Sequence, residues 1–118
     1  MDRDPKKFLW DAREAADAII EFTRGKTYTH FAADRLLRSA VERQFEIVGE
    51  ALSQLAKLDP ALASRIPDLP RIVAFRNILV HGYAVVNHEL VWRAINENLP
   101  DLRTALDSLL RAGDREKA

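Results

Sequence analysis

The longest periodic segment of the chain is residues 30–58, which read HFAADRLLRSAVERQFEIVGEALSQLAKL. Its apolar residues recur at the three- and four-residue spacing of one helix face. They are Phe31, Leu36, Leu37, Ala40, Val41, Phe45, Val48, Ala51, Leu52 and Leu55. The pattern predicts one helix from Thr29 or His30 to Leu58, about 40 Å long at 1.5 Å per residue. Such a helix would be the spine of a helical bundle.

Before the spine, a first helix is predicted from Pro5 to about Arg24. Asp4 suits the N-cap, proline suits the first helical position, and Gly25 ends the helix. After the spine, residues 59–69 contain two prolines, which predicts a loop with one helical turn after the Asp-Pro start.

Two further helices are predicted towards the C-terminus. The third covers 70–81 and is ended by Gly82. The fourth covers 87–112, starts at Asn87 as N-cap, and is kinked or broken near Pro100. Helices with one apolar stripe and short connections predict an all-α fold, an antiparallel four- to five-helix up-down bundle. We expect a single domain over 1–118 with a disordered tail at 113–118.

Composition limits the possible classes of protein. The chain has 118 residues and no cysteine, which excludes disulfides, thiolate metal sites and cysteine nucleophiles. No segment resembles a signal peptide or a membrane span, so we expect a cytoplasmic protein. The 18 basic and 18 acidic residues balance, which argues against binding nucleic acid by net charge but leaves a local basic cleft open.

The third helix is apolar on more than one side. On a helical wheel with Ile72 at zero, its apolar residues occupy two separate sectors, and Arg76 lies at about 40°, Asn77 at about 140° and His81 at about 180°. A helix of this kind packs against its own bundle on one side and a second partner on another. A second copy of the chain is the simplest candidate.

The end of this helix, RNILVHGY at 76–83, concentrates polar side chains in an apolar segment. Arg76, His81 or Tyr83 alone would be most simply a packing or capping residue. Together they suggest chemistry, because arginine matches a phosphate and histidine transfers protons near neutral pH. Arginine with histidine suffices for phosphodiester cleavage without a metal or cofactor.

One difficulty is that RNA cleavage needs both an acid and a base, whereas this segment holds one histidine. Another is that Arg76 and His81 are five residues apart, which turns them about 140° away from each other. A homodimer with two facing third helices would bring two copies of each residue into one cleft.

The spacing of Arg76, His81 and Tyr83 is the R-x4-H-x-Y pattern, and the chain resembles the HepT-like toxins among the HEPN-domain ribonucleases. QFEIVGEAL at 44–52 and VWRAINENLPDL at 91–102 also resemble this family, so the likeness covers nearly the whole chain. The resemblance implies an RNA-cutting homodimeric toxin with Arg76 and His81 as the catalytic pair and Asn77 as a supporting residue.

The resemblance also implies a partner, a minimal nucleotidyltransferase antitoxin that transfers AMP to the tyrosine of the motif. In this chain that tyrosine is Tyr83, which is also a candidate RNA contact. A bulky anion there would block the cleft and repel the RNA backbone.

Several other polar residues have simpler interpretations. His30 and His88 have no partner at metal-ligand spacing and are expected in capping or surface roles. A carboxylate row on the second helix is interpreted as a solvated face or as partners of nearby arginines; it consists of Glu42, Glu46 and Glu50, near Arg35, Arg38 and Arg43. Trp10 and Trp92 are expected in the core or an interface.

Two other functions stay open from the sequence. The chain could be a non-catalytic subunit that presents Arg76 and Tyr83 to a nucleotide or to a nucleotidyltransferase, which the neutral charge favours. It could also be a helical oligomerisation module.

Overall fold

All regular structure in the described part of the chain is helical. The computed structural model describes residues 4–81 and 87–117, with the backbone alone for 114–117. In chain order the elements are α1 (Pro5–Thr23), α2 (Tyr28–Ala33), α3 (Arg35–Leu58), α4 (Pro60–Ala63), α5 (Leu69–His81), α6 (His88–Arg93), a π-helical turn (Ala94–Asn98) and α7 (Leu99–Lys117). The predicted all-α fold is confirmed.

Two predicted helix starts are confirmed by their caps. The Asp4 carboxylate accepts a hydrogen bond from the backbone N–H of Lys6, 2.9 Å away, at the start of α1. Asp59 accepts from the N–H of Leu62 at 3.1 Å and begins the single-turn helix α4. Gly25 follows α1 with a positive φ of 73°, a conformation that costs glycine little.

The prediction of one continuous spine helix from residue 29 or 30 is wrong at Asp34. This residue has extended backbone angles and separates α2 from α3. Its carboxylate accepts a hydrogen bond from the N–H of Leu37 at 3.1 Å, so it caps a new helix. Aspartate competes with the helical backbone for such donors, which favours a helix start over a helix interior.

The predicted break near Pro100 takes the form of a π-helical turn. The wider turn over Ala94–Asn98 ends just before Leu99 and Pro100. Proline lacks an N–H, and its ring collides with the carbonyl four residues earlier, so the regular α-helical bond cannot form there. The helix then continues to Lys117, five residues beyond the predicted end, while the predicted disorder of the tail stays a prediction.

The helices α1, α3 and α7 form the main packed layer, and α5 packs chiefly on α3. Asp107 of α7 pairs with Arg13 at 3.0 Å, while Arg103 pairs with Asp17 at 2.8 Å. The residue numbers of the paired positions increase along α1 and decrease along α7, so the two helices are antiparallel. No helix of the described residues is long and apolar enough to cross a membrane.

Candidate active site

The position of α5 depends on a glycine in α3. A Cβ atom added to Gly49 would lie 2.2 Å from Cβ and 2.6 Å from Cγ of Arg76. No side chain fits in that space, so glycine allows the two helices to approach at this level. The aliphatic stem of Arg76 is therefore packed against the backbone of α3.

The guanidinium of Arg76 has no carboxylate partner among the described residues. Its Nη1 donates a hydrogen bond to Oδ1 of Asn77 at 3.0 Å. Its Nε is buried without a hydrogen-bond partner in the described part of the chain. A half-buried cation with unused donors in a fixed fork suits an anion with several oxygens, such as a phosphate.

The exposed sector of α5, which we call the outer face, spans about 160° around the helix, from Val80 beside Arg76 to Ile78. It carries Ala74, Asn77, Ile78, Val80 and His81. Ile78 and Val80 lie at the two edges of this face, about 160° apart, and are 45% and 44% exposed. Val80 belongs to the second apolar sector that the sequence predicts for α5, and its partner there stays a prediction.

Arg76 and His81 belong to one uninterrupted helix, Leu69–His81. Five residues of α-helix separate them by about 7.5 Å along the axis and about 140° around it. Arg76 faces α3, whereas His81 lies on the outer face. Within one chain the structure therefore brings Asn77 to Arg76 but does not bring His81 to it.

Two predicted features lie outside the described residues. They are Tyr83, the predicted modification site, and Gly82, the predicted helix terminator. The described part of α5 reaches His81, so the predicted helix end at Gly82 stays a prediction.

The carboxylate row on α3 divides into three environments. Glu46 pairs with Arg43 at 3.5 Å, and Glu50 is exposed, in line with a solvated row. Glu42 is half-buried, and Arg38 donates a hydrogen bond to the backbone carbonyl of Ala32. Glu42 is therefore not solvated, whereas the charge of Arg38 acts on it, in line with the alternative of nearby arginine partners.

The sequence analysis did not identify that His88 and Glu42 are both half-buried and that the charge of His88 acts on Glu42. His88 opens α6, its ring is half-buried, and its Nδ1 is enclosed without a hydrogen-bond partner among the described residues. Burial raises the pKa of the Glu42 carboxyl, while the nearby charges of His88 and Arg38 oppose the rise and Glu46 adds to it. The sequence signal was weak, because the two residues are far apart and neither belongs to a known spacing.

The remaining predicted residues take structural positions. His30 is exposed, as expected for a surface role, and its backbone N–H donates to the Thr27 hydroxyl that caps α2. Trp92 packs on Phe31 with ring centroids 5.3 Å apart. Trp10 is 49% exposed under the guanidinium of Arg13, so it does not lie in the core, and its predicted alternative place in an interface stays a prediction.

An apolar cavity of about 120 Å³ lies between α3, α5 and the α6–α7 segment. Its walls include Phe45 and Phe75, whose rings meet edge to face with centroids 5.2 Å apart. Among the described residues no group of three or more histidine, aspartate or glutamate side chains is arranged to hold a metal ion.

Comparison with known proteins identifies the family of the chain. A protein from Methanocaldococcus jannaschii named "Putative RNase MJ1380" is 36% identical over 107 residues, covering 89% of this chain and 95% of its own. A Thermococcus cleftensis protein named "Probable ribonuclease HepT" is 32% identical over 109 residues, covering 92% and 98%. No solved structure matches the chain. The model of the family described as "Ribonuclease HepT-like" matches residues 12–109. The chain therefore belongs to the HepT-like ribonuclease family.

Proposed function

We propose that this chain is the toxin of a HEPN and minimal-nucleotidyltransferase pair, a cytoplasmic RNA endonuclease that cleaves phosphodiesters without a metal ion. The proposal rests on one observation, the environment of the Arg76 guanidinium. Its guanidinium is held by packing on Gly49 and a bond to Asn77, yet it pairs with no carboxylate of the described residues. Such a fixed cation is suited to stabilise charge on the phosphoryl oxygens of a transition state.

His81 is the proton-transfer group of the proposed reaction. It is exposed on the outer face, where a substrate has access, and imidazole changes protonation near neutral pH. Asn77 supports the site by fixing the orientation of the arginine fork.

The proposed active unit is a homodimer. Arg76 and His81 of one chain diverge by about 140° around α5, so a single phosphate does not reach both from one side of the helix. A two-fold axis beside the outer face would set Arg76 of one chain near His81 of the other, and would cover Ile78 and Val80. Each chain would then supply half of each site.

AMP transfer to Tyr83 is the proposed inactivating step, carried out by the nucleotidyltransferase partner. The tyrosine follows His81 by two positions, so an added phosphate would stand close to the cleft. Its negative charge would repel the RNA backbone and compete for the arginine.

The direct experiment is incubation of the purified, unmodified protein with total tRNA in EDTA. We expect cleavage that is lost in His81→Ala and retained in the matched control His30→Ala, since His30 is an exposed residue of α2. No cleavage by the unmodified protein, together with tight binding of ATP or of the nucleotidyltransferase, would instead favour the non-catalytic subunit that the balanced charge suggests.

A further inference from the structure

The cavity between α3, α5 and the α6–α7 segment has a volume of about 120 Å³ and walls built from the hydrophobic core. Phe45, Leu99 and Leu102 in these walls are buried, and Phe75 is half-buried. Close packing leaves few voids larger than a water molecule in a protein interior, and an empty apolar void lowers stability. An engineered apolar cavity of about 150 Å³ stays free of water and binds benzene. The volume therefore suits a six-membered ring or a short aliphatic chain.

The cavity opens to solvent beside α5 and α6. Its exposed lining residues are Asp68, Arg71, Leu90 and Arg93, whereas a sealed packing defect has buried walls only. Leu90 is 44% exposed, so the apolar lining continues from the interior to the surface at this opening. A small molecule therefore has a route into the cavity that needs no unfolding of a helix.

The mouth of the cavity carries two arginines, Arg71 and Arg93. In the part of the chain that the structure describes, neither side chain has an ion pair or a hydrogen bond. Asp68 is the acidic residue of the lining and pairs with neither arginine, so two positive charges and one negative charge leave a formal charge of +1. A guanidinium with unused donors in a fixed fork matches the two oxygens of a carboxylate.

The π-helical turn forms one side of the cavity. Its first and last residues, Ala94 and Asn98, both line the space, and both are half-buried. A π turn inserted between α-helices is rare and occurs frequently at functional sites. The Asn98 amide adds a group that can donate or accept a hydrogen bond beside the apolar walls. An apolar space with a few polar groups at its edge is the usual form of a small-molecule site.

We propose that this cavity is a binding site for a small amphipathic anion, an aromatic or short aliphatic carboxylate. Its apolar body fills the space between α3, α5 and α7, and its carboxylate meets the arginines at the mouth. The inference is independent of the proposed function, because none of the lining residues belongs to the segment at 76–83 and binding needs no RNA.

The cavity also borders the contact that holds Arg76. Val48 and Phe75 line it, and they are the chain neighbours of Gly49 and Arg76. Because three helices contribute walls, a bound molecule contacts an arrangement that exists only in the folded protein. Binding to the folded state alone raises the melting temperature. The carboxylate should therefore stabilise the protein in a concentration-dependent way.

Calorimetric titration of the purified full chain with benzoate and with hexanoate tests the site, and benzyl alcohol and hexanol are the uncharged counterparts. We expect both carboxylates to bind one to one and to raise the melting temperature. Replacement of both mouth arginines, Arg71→Gln with Arg93→Gln, should weaken carboxylate binding about 10- to 100-fold, the usual contribution of a hydrogen bond to a charged group. The same change should leave binding of the alcohols unaltered. Arg24→Gln with Arg35→Gln, which removes two exposed arginines outside the cavity, should bind all four compounds as the unchanged protein does.

A second variant fills the cavity instead of changing its charge. Ala94→Met introduces a long, flexible apolar side chain from the π-helical turn and should abolish binding of the carboxylates and the alcohols. Ala105→Met is the matched control, because Ala105 is a half-buried residue of α7 that does not line the cavity. It should bind like the unchanged protein, and circular dichroism would establish that both variants fold.

NMR locates the bound molecule directly. Nuclear Overhauser effects should join the ring protons of benzoate to the methyl groups of Leu99 and Leu102, whether or not Ala94→Met folds. Failure of both carboxylates to bind the unchanged protein would contradict the proposal. So would equal affinity for the carboxylates and the alcohols, or binding that survives in a folded Ala94→Met. Since no RNA is present, each result is separate from the test of RNA cleavage.

Discussion

Arg76 combines a structural and a chemical task in one side chain. Its stem fills the space above Gly49, and its fork ends in a bond to Asn77. Truncation to alanine removes both contributions at once. Lysine keeps the stem and the charge but loses the planar fork.

We therefore expect Arg76→Lys to fold with nearly unchanged thermal stability and to cleave RNA about 10²-fold more slowly than the unchanged protein. Melting by circular dichroism and single-turnover cleavage would measure the two effects. Cleavage at the full rate would show that charge alone suffices and would contradict the role of the fork.

Glu42 is expected to cost stability at neutral pH. Burial raises the pKa of its carboxyl in the folded state, so its stabilising effect is present below the unfolded pKa and is lost as pH rises through the folded pKa. Glu42→Gln should therefore increase the free energy of unfolding at pH 7 by less than about 1 kcal/mol and raise the melting temperature slightly. At pH 3 the substitution should leave the melting temperature unchanged.

Glu50→Gln is the control for this effect, since that carboxylate is exposed. A lower melting temperature for Glu42→Gln at pH 7 would mean that the ionised carboxylate stabilises the fold.

At this scale the sequence pointed to one local segment and missed two buried polar groups. Arg76, Asn77 and His81 stand within one segment of recognisable spacing, and the structure joins Arg76 to Asn77. The burial of Glu42 and of the His88 Nδ1 depends on the packing of distant elements, which no local pattern encodes.

The contact of α3 with α5 is the element-scale feature on which the site depends. Replacement of Gly49 by alanine favours the helical backbone by about 1 kcal/mol, but its Cβ overlaps the side chain of Arg76. Since the nearest atoms belong to the base of that side chain, α5 must move. We expect Gly49→Ala to lower the free energy of unfolding by about 1–3 kcal/mol and to reduce cleavage.

Gly113 in α7 offers the matched control. An added Cβ there meets no described atom within 4 Å, so Gly113→Ala should stabilise the protein by up to about 1 kcal/mol. Urea unfolding of the two variants should give opposite signs. A stabilising effect of Gly49→Ala would show that the close approach of the helices is dispensable.

Element boundaries were predictable where a cap or breaker acts alone. Asp4, Asp59 and Asn87 cap the helices that the sequence patterns predict after them. Asp34 was missed because an apolar stripe continues across it, while its side chain bonds the backbone of the next turn. Pro100 indicated a disturbance, but the choice of a π turn depends on packing around Ile95 and Leu99, both buried.

At the scale of the molecule, the outer face of α5 is the surface proposed to bind a second copy of the chain. Val80 is 44% exposed there and lies next to His81. A carboxylate at this position would be desolvated in the proposed dimer and would face its own copy across the two-fold axis. We expect Val80→Asp to be folded by circular dichroism, monomeric by light scattering, and inactive in the cleavage assay.

Leu58→Asp is the control. Leu58 has a similar exposure of 41%, but it is the last residue of α3 and lies near the start of α5, away from Val80 and His81. It should remain dimeric and active. A monomeric wild-type protein that cleaves RNA would exclude a shared site.

Cleavage of tRNA in EDTA by mixed dimers of Arg76→Ala and His81→Ala is the decisive test of a ribonuclease site shared between two copies of the chain. Each variant alone should be inactive. Co-refolded mixtures should recover activity, because one site of every mixed dimer then holds an intact arginine from one chain and an intact histidine from the other. Inactive mixtures in which mixed dimers are present would contradict a ribonuclease site built from two copies of the segment at 76–83.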